Sequence, residues 1–216
     1  MPTPKLHLEG PKKAKICVAL AHGAGEGWDS RFLDYFANGL ADLGYRVARF
    51  EFPYMAERAT TGRRRPPDRE EVLRACWLEV IQSLPSEHIV IGGKSMGGRI
   101  ASLIADESQA ESPVGGLVCL GYPFHPSGKP EKLRVEHLAE LQTPTLIVQG
   151  EIDPFGSRDE VLSYNLSDAI ELHWVPDGDH SYKTRRGSDR SQDQNFKNAL
   201  RAIDKFIQPL WPELMR

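Results

Sequence analysis

The chain has 216 residues, of which 40% are hydrophobic and 26% charged, with a formal net charge of −3. That size and balance suit a single soluble domain, 1–216, able to bury its own core without a disulfide framework. There is no overall basic field to attract phosphate, which argues against a general nucleic-acid binder.

The N-terminal segment MPTPKLHLEGPKKAK holds no apolar run of signal-peptide length. Ile16 to Ala21 is a continuous apolar run that stops at His22-Gly23, far too short for a bilayer but right for a fully buried strand. Phe32, Leu33, Phe36, Leu40 and Leu43 then repeat at helical spacing, with Gly44 as the stop. A strand is expected over Arg46 to Phe52, followed by an irregular polar stretch, Pro53 to Pro67. Val72, Leu73, Cys76, Val80, Ile81 and Leu84 mark one helix face, with Asp68 and Glu71 placed like a capping box and Pro85 as the end. His88 to Gly92 is a short apolar strand that runs into GGKSMGG and a small-residue helix to about Ala105. Further buried strands are expected at Gly116 to Gly121, Thr145 to Gly150 and Ile170 to Val175. The last helix shows Phe196, Ala199, Leu200, Ile203, Phe206 and Ile207 on one face, with Ser191 and Gln194 as its capping box. Such alternation implies a three-layer α/β/α sandwich around a mostly parallel, doubly wound sheet. Cys17, Cys76 and Cys119 stand singly within these elements and read as buried thiols of a reducing, cytoplasmic compartment.

Gly93-Lys94-Ser95-Met96-Gly97 is the strongest local signal. It is a G-x-S-x-G pattern between a strand and a helix, where a sharp turn strains the backbone and lifts the serine Oγ clear of the sheet. Side chains two before and two after Ser95 would clash in that turn, so glycine is needed there. A serine nucleophile needs a base, and the base needs an orienting acid. The strand Thr145 to Gly150 runs into Glu151-Ile152-Asp153, and the strand ending at Val175 runs into Asp177-Gly178-Asp179-His180. Both loops leave the carboxyl edge of the sheet, where open α/β sheets place their sites. Asp153 is therefore the expected acid and His180 the expected base. Glu151, Asp177 and Asp179 are less well placed, being nearer the strand end or beside the imidazole itself. His22-Gly23-Ala24-Gly25 follows the first core strand and can aim the Ala24 N–H, with that of Met96, at a developing oxyanion. His22 reads as a support for that loop.

HGAGEG, GGKSMGGR, GYPFHP, TPTLIVQGEIDP and the DGDHS loop together resemble the small α/β-hydrolase-like group typified by testis-expressed protein 30 and subunit 3 of the non-specific-lethal complex. The likeness runs from about His22 to the last helix. It implies the α/β-hydrolase fold and carries Ser95, Asp153 and His180 over as a triad, but supplies no substrate. Lys94 matches a basic position of that group, without an assigned role.

Around these motifs, Tyr122, Phe124 and His125 are candidate pocket-lining residues, packing against the neighbouring loop being the alternative. Arg63, Arg64 and Arg65 read as a solvated run, with steering of an anionic substrate as the alternative. His7, His88, His137 and His173 have no ligand spacing, and neither a metal nor an organic cofactor is indicated. The expected partner is a small acyl substrate, with no nucleic acid or membrane involved and the oligomeric state unreadable. Tyr122 to Pro144 leaves room for only one short helical piece, Pro130 to Leu141. A small, open site without a large cap is expected, suited to short or exposed acyl groups. The leading reading is a serine hydrolase of an ester, thioester or amide. Acyl transfer by the same residues and a non-catalytic interaction module are its rivals.

Overall fold

The computed structural model describes residues 4–107 and 114–215; Met1–Thr3 of the N-terminal segment lie outside it. Among the described residues seven strands form one sheet: β1 (His7–Glu9), β2 (Ile16–Ala21), β3 (Arg46–Phe50), β4 (His88–Lys94), β5 (Val114–Leu120), β6 (Thr145–Gly150) and β7 (Ile170–Val175). Their order is β1-β3-β2-β4-β5-β6-β7, and every pairing is parallel except β1 with β3. The helices are α1 (Arg31–Asp42), α2 (Pro53–Thr61), α3 (Glu70–Gln82), α4 (Met96–Ser102), α5 (Arg158–Val161) and α6 (Gln192–Ile207). None is long and apolar enough to cross a membrane.

Because successive strand residues face opposite sides, the apolar strands supply two cores at once. Cys17, Ala19, Ile91, Cys119 and Ile147 pack on one side with Trp77, Val80 and Ile81 of α3. Val18, Leu20, Val90, Val118 and Val148 pack on the other with Leu33 and Phe36 of α1 and Ala199 and Ile203 of α6. Fully burying one Val, Leu, Ile or Phe contributes roughly 1.5–3 kcal/mol, so these two layers dominate the drive to this fold. The three cysteines are free and buried, as their positions suggested.

Four sequence readings need correction. Pro53 to Pro67 is not irregular throughout. It opens with α2, which begins on Pro53 and ends at Gly62, whose φ of 71° supplies the left-handed cap. Asp68 does not cap α3, whose N-cap is Arg69 without a side-chain bond. Instead Asp68 accepts the Tyr54 N–H (2.8 Å) and pairs with Arg65 (2.5 Å). The helical piece expected over Pro130 to Leu141 is reduced to a 3-10 turn, Glu136–Ala139. The antiparallel edge strand β1 was not expected; Arg49 holds it by pairing with its Glu9 and with Asp34 of α1.

The chain steps one way from β2 to β3 and then crosses back past β2 to β4 on its other side. The loops leaving β2 and β4 therefore diverge, and the crevice between them is where this architecture places ligands.

Candidate active site

Ser95 sits where that crevice opens. It leaves β4 with φ 51° and ψ −116°, a strained conformation for a residue with a Cβ, and starts α4 immediately afterwards. The turn is enforced by contact. Gly93 has φ 150°, and a methyl there would lie 2.2 Å from the Ala21 carbonyl; one on Gly97 would lie 2.5 Å from the same oxygen. The Ser95 N–H is anchored on Leu120 O of β5 at 3.0 Å.

The loop after β2 packs directly against this turn, since a methyl on Gly23 would reach Ser95 Cβ at 3.8 Å. His22 is buried, and that burial pushes its pKa down to about 4. Its Nε2 accepts the Phe52 N–H at 3.1 Å, which leaves Nδ1 protonated to donate to Gly23 O at 2.7 Å. The Tyr54 hydroxyl donates to Ala24 O at 3.0 Å. The same hydroxyl lies 3.4 Å from Gly23 O, so both carbonyls of the Gly23-Ala24 segment are turned towards Tyr54 of α2. The N–H groups of Ala24 and Met96 find no acceptor among the described residues. His22 is the loop support that the sequence suggested, and Tyr54 is a second support that it did not.

Asp153 and His180 meet from separate loops. His180 Nδ1 donates to Asp153 Oδ2 at 2.7 Å, which leaves Nε2 as the free ring nitrogen. Asp153 is buried; its Oδ1 accepts the Phe155 N–H at 2.9 Å and its Oδ2 accepts Gln149 Nε2 at 3.1 Å. The other nearby carboxylates are engaged elsewhere. Glu151 pairs with Arg158 (2.8 Å) and accepts the Asp177 N–H (3.1 Å), Asp177 pairs with Arg185 (2.8 Å), and Asp179 accepts the Ser181 N–H (2.8 Å). Gln149 was not singled out from the sequence. Its signal was a lone amide closing an otherwise apolar strand, TLIVQG. The buried amide also accepts the Tyr122 N–H (2.8 Å) and donates to Gly156 O (3.0 Å), and so stitches two loops around Asp153.

Lys94 joins the two halves. It is buried beside Ser95, yet its Nζ donates to the backbone carbonyl of His180. The ammonium lies 4.6 Å from the Phe32 ring centre and 5.7 Å from that of Tyr182. Burial pushes its pKa down to about 8, against the opposing charges of Asp153, Asp179 and Glu26. Gly121 closes the contact: a methyl there would lie 2.8 Å from Lys94 Nζ and 3.3 Å from His180 Nδ1.

A cavity of about 390 Å³ is lined by Ser95, Met96, Ala24, Arg99, Arg134 and Phe155, among others. The Phe155 ring, part of this wall, lies 4.4 Å from that of His180. The Ser95 hydroxyl makes no hydrogen bond to His180 among the described residues; catalytic hydrogen bonds of this kind commonly tighten only on substrate. Tyr122, Phe124 and His125 are buried and do not line this cavity. The positive φ of Gly121 (65°) turns the chain under the site, where Tyr122 and Phe124 pack together with ring centres 4.8 Å apart. Pro123, Pro126 and Phe155 face the cavity in their place. Arg63, Arg64 and Arg65 are exposed, and Arg65 is committed to Glu57 (2.7 Å) and Asp68 (2.5 Å).

Solved structures share this architecture. Est1E from Butyrivibrio proteoclasticus superposes with a TM-score of 0.66 at 16% identity, over 94% of this chain and 93% of that one. A dienelactone hydrolase from Anabaena variabilis gives 0.67 at 20% identity, over 92% and 96%. A lidless α/β serine hydrolase from Xanthomonas campestris gives 0.64 at 17% identity, over 99% and 91%. At such identities the likeness establishes the fold alone. A family model described as an alpha/beta hydrolase domain matches residues 14–208, nearly the whole chain, and the protein belongs to the alpha/beta hydrolase family.

Proposed function

We propose that the protein is a serine hydrolase that cleaves an ester, thioester or amide of a small acyl substrate, with Ser95 as nucleophile, His180 as base and Asp153 as orienting acid. The observation that carries this reading is the 2.7 Å His180–Asp153 hydrogen bond at the same sheet edge as the strained Ser95. His180 Nε2 takes the Ser95 proton as Oγ attacks the carbonyl, and Asp153 fixes the ring and stabilises its cationic form. The unengaged N–H groups of Ala24 and Met96 receive the oxyanion. As the intermediate collapses, the bond to the leaving alcohol, thiol or amine breaks and His180 gives that group the proton, leaving an acyl-serine. Water then attacks it with His180 taking the water proton, and His180 returns a proton to Ser95 Oγ as the acid is released.

No multi-helix cap covers Ser95 among the described residues, and the 390 Å³ cavity suits short or exposed acyl groups. The three free, buried thiols fit a reducing compartment such as the cytoplasm. Intact-mass analysis after exposure to a fluorophosphonate tests the reading without assuming a substrate. One adduct is expected, located at Ser95 and abolished by Ser95→Ala. A folded protein that stays unlabelled at neutral and alkaline pH would instead indicate an interaction module that kept the fold and lost the chemistry.

A further inference from the structure

The cavity beside Ser95 is lined by an arginine, Arg134, that has no ion-pair partner among the described residues. Arg99 and Arg134 both line it, and Arg99 lies one helical turn beyond the nucleophile, its N–H donating to Ser95 O at 3.0 Å. Residues so spaced have Cβ atoms about 5–6 Å apart. Glu70 and Asp68, the acidic residues of the same wall, are already committed. Glu70 holds Arg99 at 2.8 Å, and Asp68 holds Arg65 and the Tyr54 N–H. The Arg134 guanidinium forms no ion pair among the described residues. Its backbone is nevertheless fixed, with its N–H on Phe124 O (2.8 Å) and its C=O accepting the Tyr122 hydroxyl (3.0 Å). The buried Arg99 Nε also lacks a partner among the described residues. Burial and the charge of Arg99 both lower the pKa of Arg134, as expected for two cations sharing a half-enclosed space.

We infer that this wall is a subsite for a carboxylate, and that the substrate is an ester or thioester whose acyl group ends in that carboxylate a few atoms from the scissile carbonyl. The inference rests on the serine-hydrolase reading and names its substrate class. With Arg99 held by Glu70 and Arg65 shared between Glu57 and Asp68, Arg134 is the guanidinium of this wall that has no carboxylate partner among the described residues, and one such fork matches a single carboxylate. A guanidinium presents a planar fork that fits carboxylate geometry, and a half-enclosed, low-dielectric wall strengthens the pairing. Met96 and Phe155 supply the apolar flank for the few methylenes between the two ends.

The test compares kcat/KM for monoethyl glutarate and for ethyl pentanoate, a neutral ester of similar length, by pH-stat at neutral pH. The native protein is expected to favour the anionic ester by about tenfold or more, the scale of one charge-assisted hydrogen bond. Arg134→Gln should bring the ratio close to one. Arg134→Lys, which keeps the charge and loses the fork, should retain part of it and serves also if the Gln variant fails to fold. Raising the salt to about 0.5 M should erode the native preference. A native ratio near one, or an undiminished ratio in Arg134→Gln, overturns the subsite. The two readings are separated by fluorophosphonate labelling of the same preparation. Labelled protein without the preference refutes the subsite alone, whereas unlabelled protein inert to both esters refutes the hydrolase reading and the subsite with it.

Discussion

The two halves of the candidate site are held by different physics. At the end of β4 the control is steric: Ser95 is forced into its turn because backbone from β2 fills the space where side chains at positions 93 and 97 would sit. Past the ends of β6 and β7 the control is polar. Asp153 is buried but accepts three N–H groups, from Phe155, Gln149 and His180, and such a carboxylate is tolerated only while those donors are in place. Excluded volume cannot be lost by degrees without losing the fold, whereas a hydrogen-bond set can change its chemistry while the chain stays folded. Substitution should therefore separate turnover from stability on the polar side and fail to do so on the steric side.

The largest effect is expected at Asp153. Asp153→Asn keeps the shape but sets an amide against three donors and favours the wrong imidazole tautomer. Turnover should fall by about 10⁴-fold, with a modest loss of stability of roughly 1–3 kcal/mol for the mismatched bonds. Glu151→Gln, nearer the β6 end but bound to Arg158, should change turnover little; if it behaves like Asp153→Asn, the acid has been misassigned. On the steric side, Gly93→Ala should cost more than about 3 kcal/mol in denaturant unfolding or leave no folded protein, because a methyl cannot sit 2.2 Å from Ala21 O. A Gly93→Ala variant with native stability would show that the elbow is not held by contact, and the contrast between the halves would fail.

The same contrast explains what could be read from the sequence. Steric rules are local, so GGKSMGG after an apolar strand announced the elbow, and TLIVQG and IELHWV announced β6 and β7 with their observed limits. The α6 capping box was legible because both its partners lie within four residues. β1 was missed because three residues at an edge carry no period, and its pairing depends on Arg49 reaching Glu9 from another strand. α2 was missed although Pro53 and Gly62 bracket it, because only Tyr54 and Met55 are buried and no apolar stripe forms. The cavity wall was misread for a related reason. Whether Tyr122 or Pro123 faces Ser95 depends on the turn at Gly121, which packs against Lys94 and His180 from distant parts of the chain. Gln149 and Lys94 likewise have obvious chemistry and partners that only the tertiary structure reveals.

The smallest effect, and the one that probes the junction between the halves, is expected at Lys94. Its ammonium hands the steric half's position to the polar half by donating to the His180 carbonyl. Lys94→Met keeps the length and the apolar stem but cannot donate, so turnover should fall about tenfold on any substrate, as loss of one such bond allows. Stability should move the other way. The folded-state pKa is about 8 against an ordinary 10.5, with desolvation the main cause and Asp153, Asp179 and Glu26 opposing it. Below pH 8 both folded and unfolded chains hold the proton, and the folded chain bears the full cost of burying the charge. Between about pH 8 and 10.5 the folded chain releases the proton first, so native stability rises relative to a variant that cannot titrate there. Lys94→Met should accordingly be more stable than the native protein in denaturant unfolding at pH 7, with the advantage shrinking towards pH 10. Native kcat/KM should also carry an ionisation near pH 8, where the charge that strengthens the His180 contact is lost, and the Met variant should lack it. A variant less stable than native at pH 7, or one with unchanged turnover and the same pH profile, would show that Lys94 only fills space and that the two halves are positioned independently.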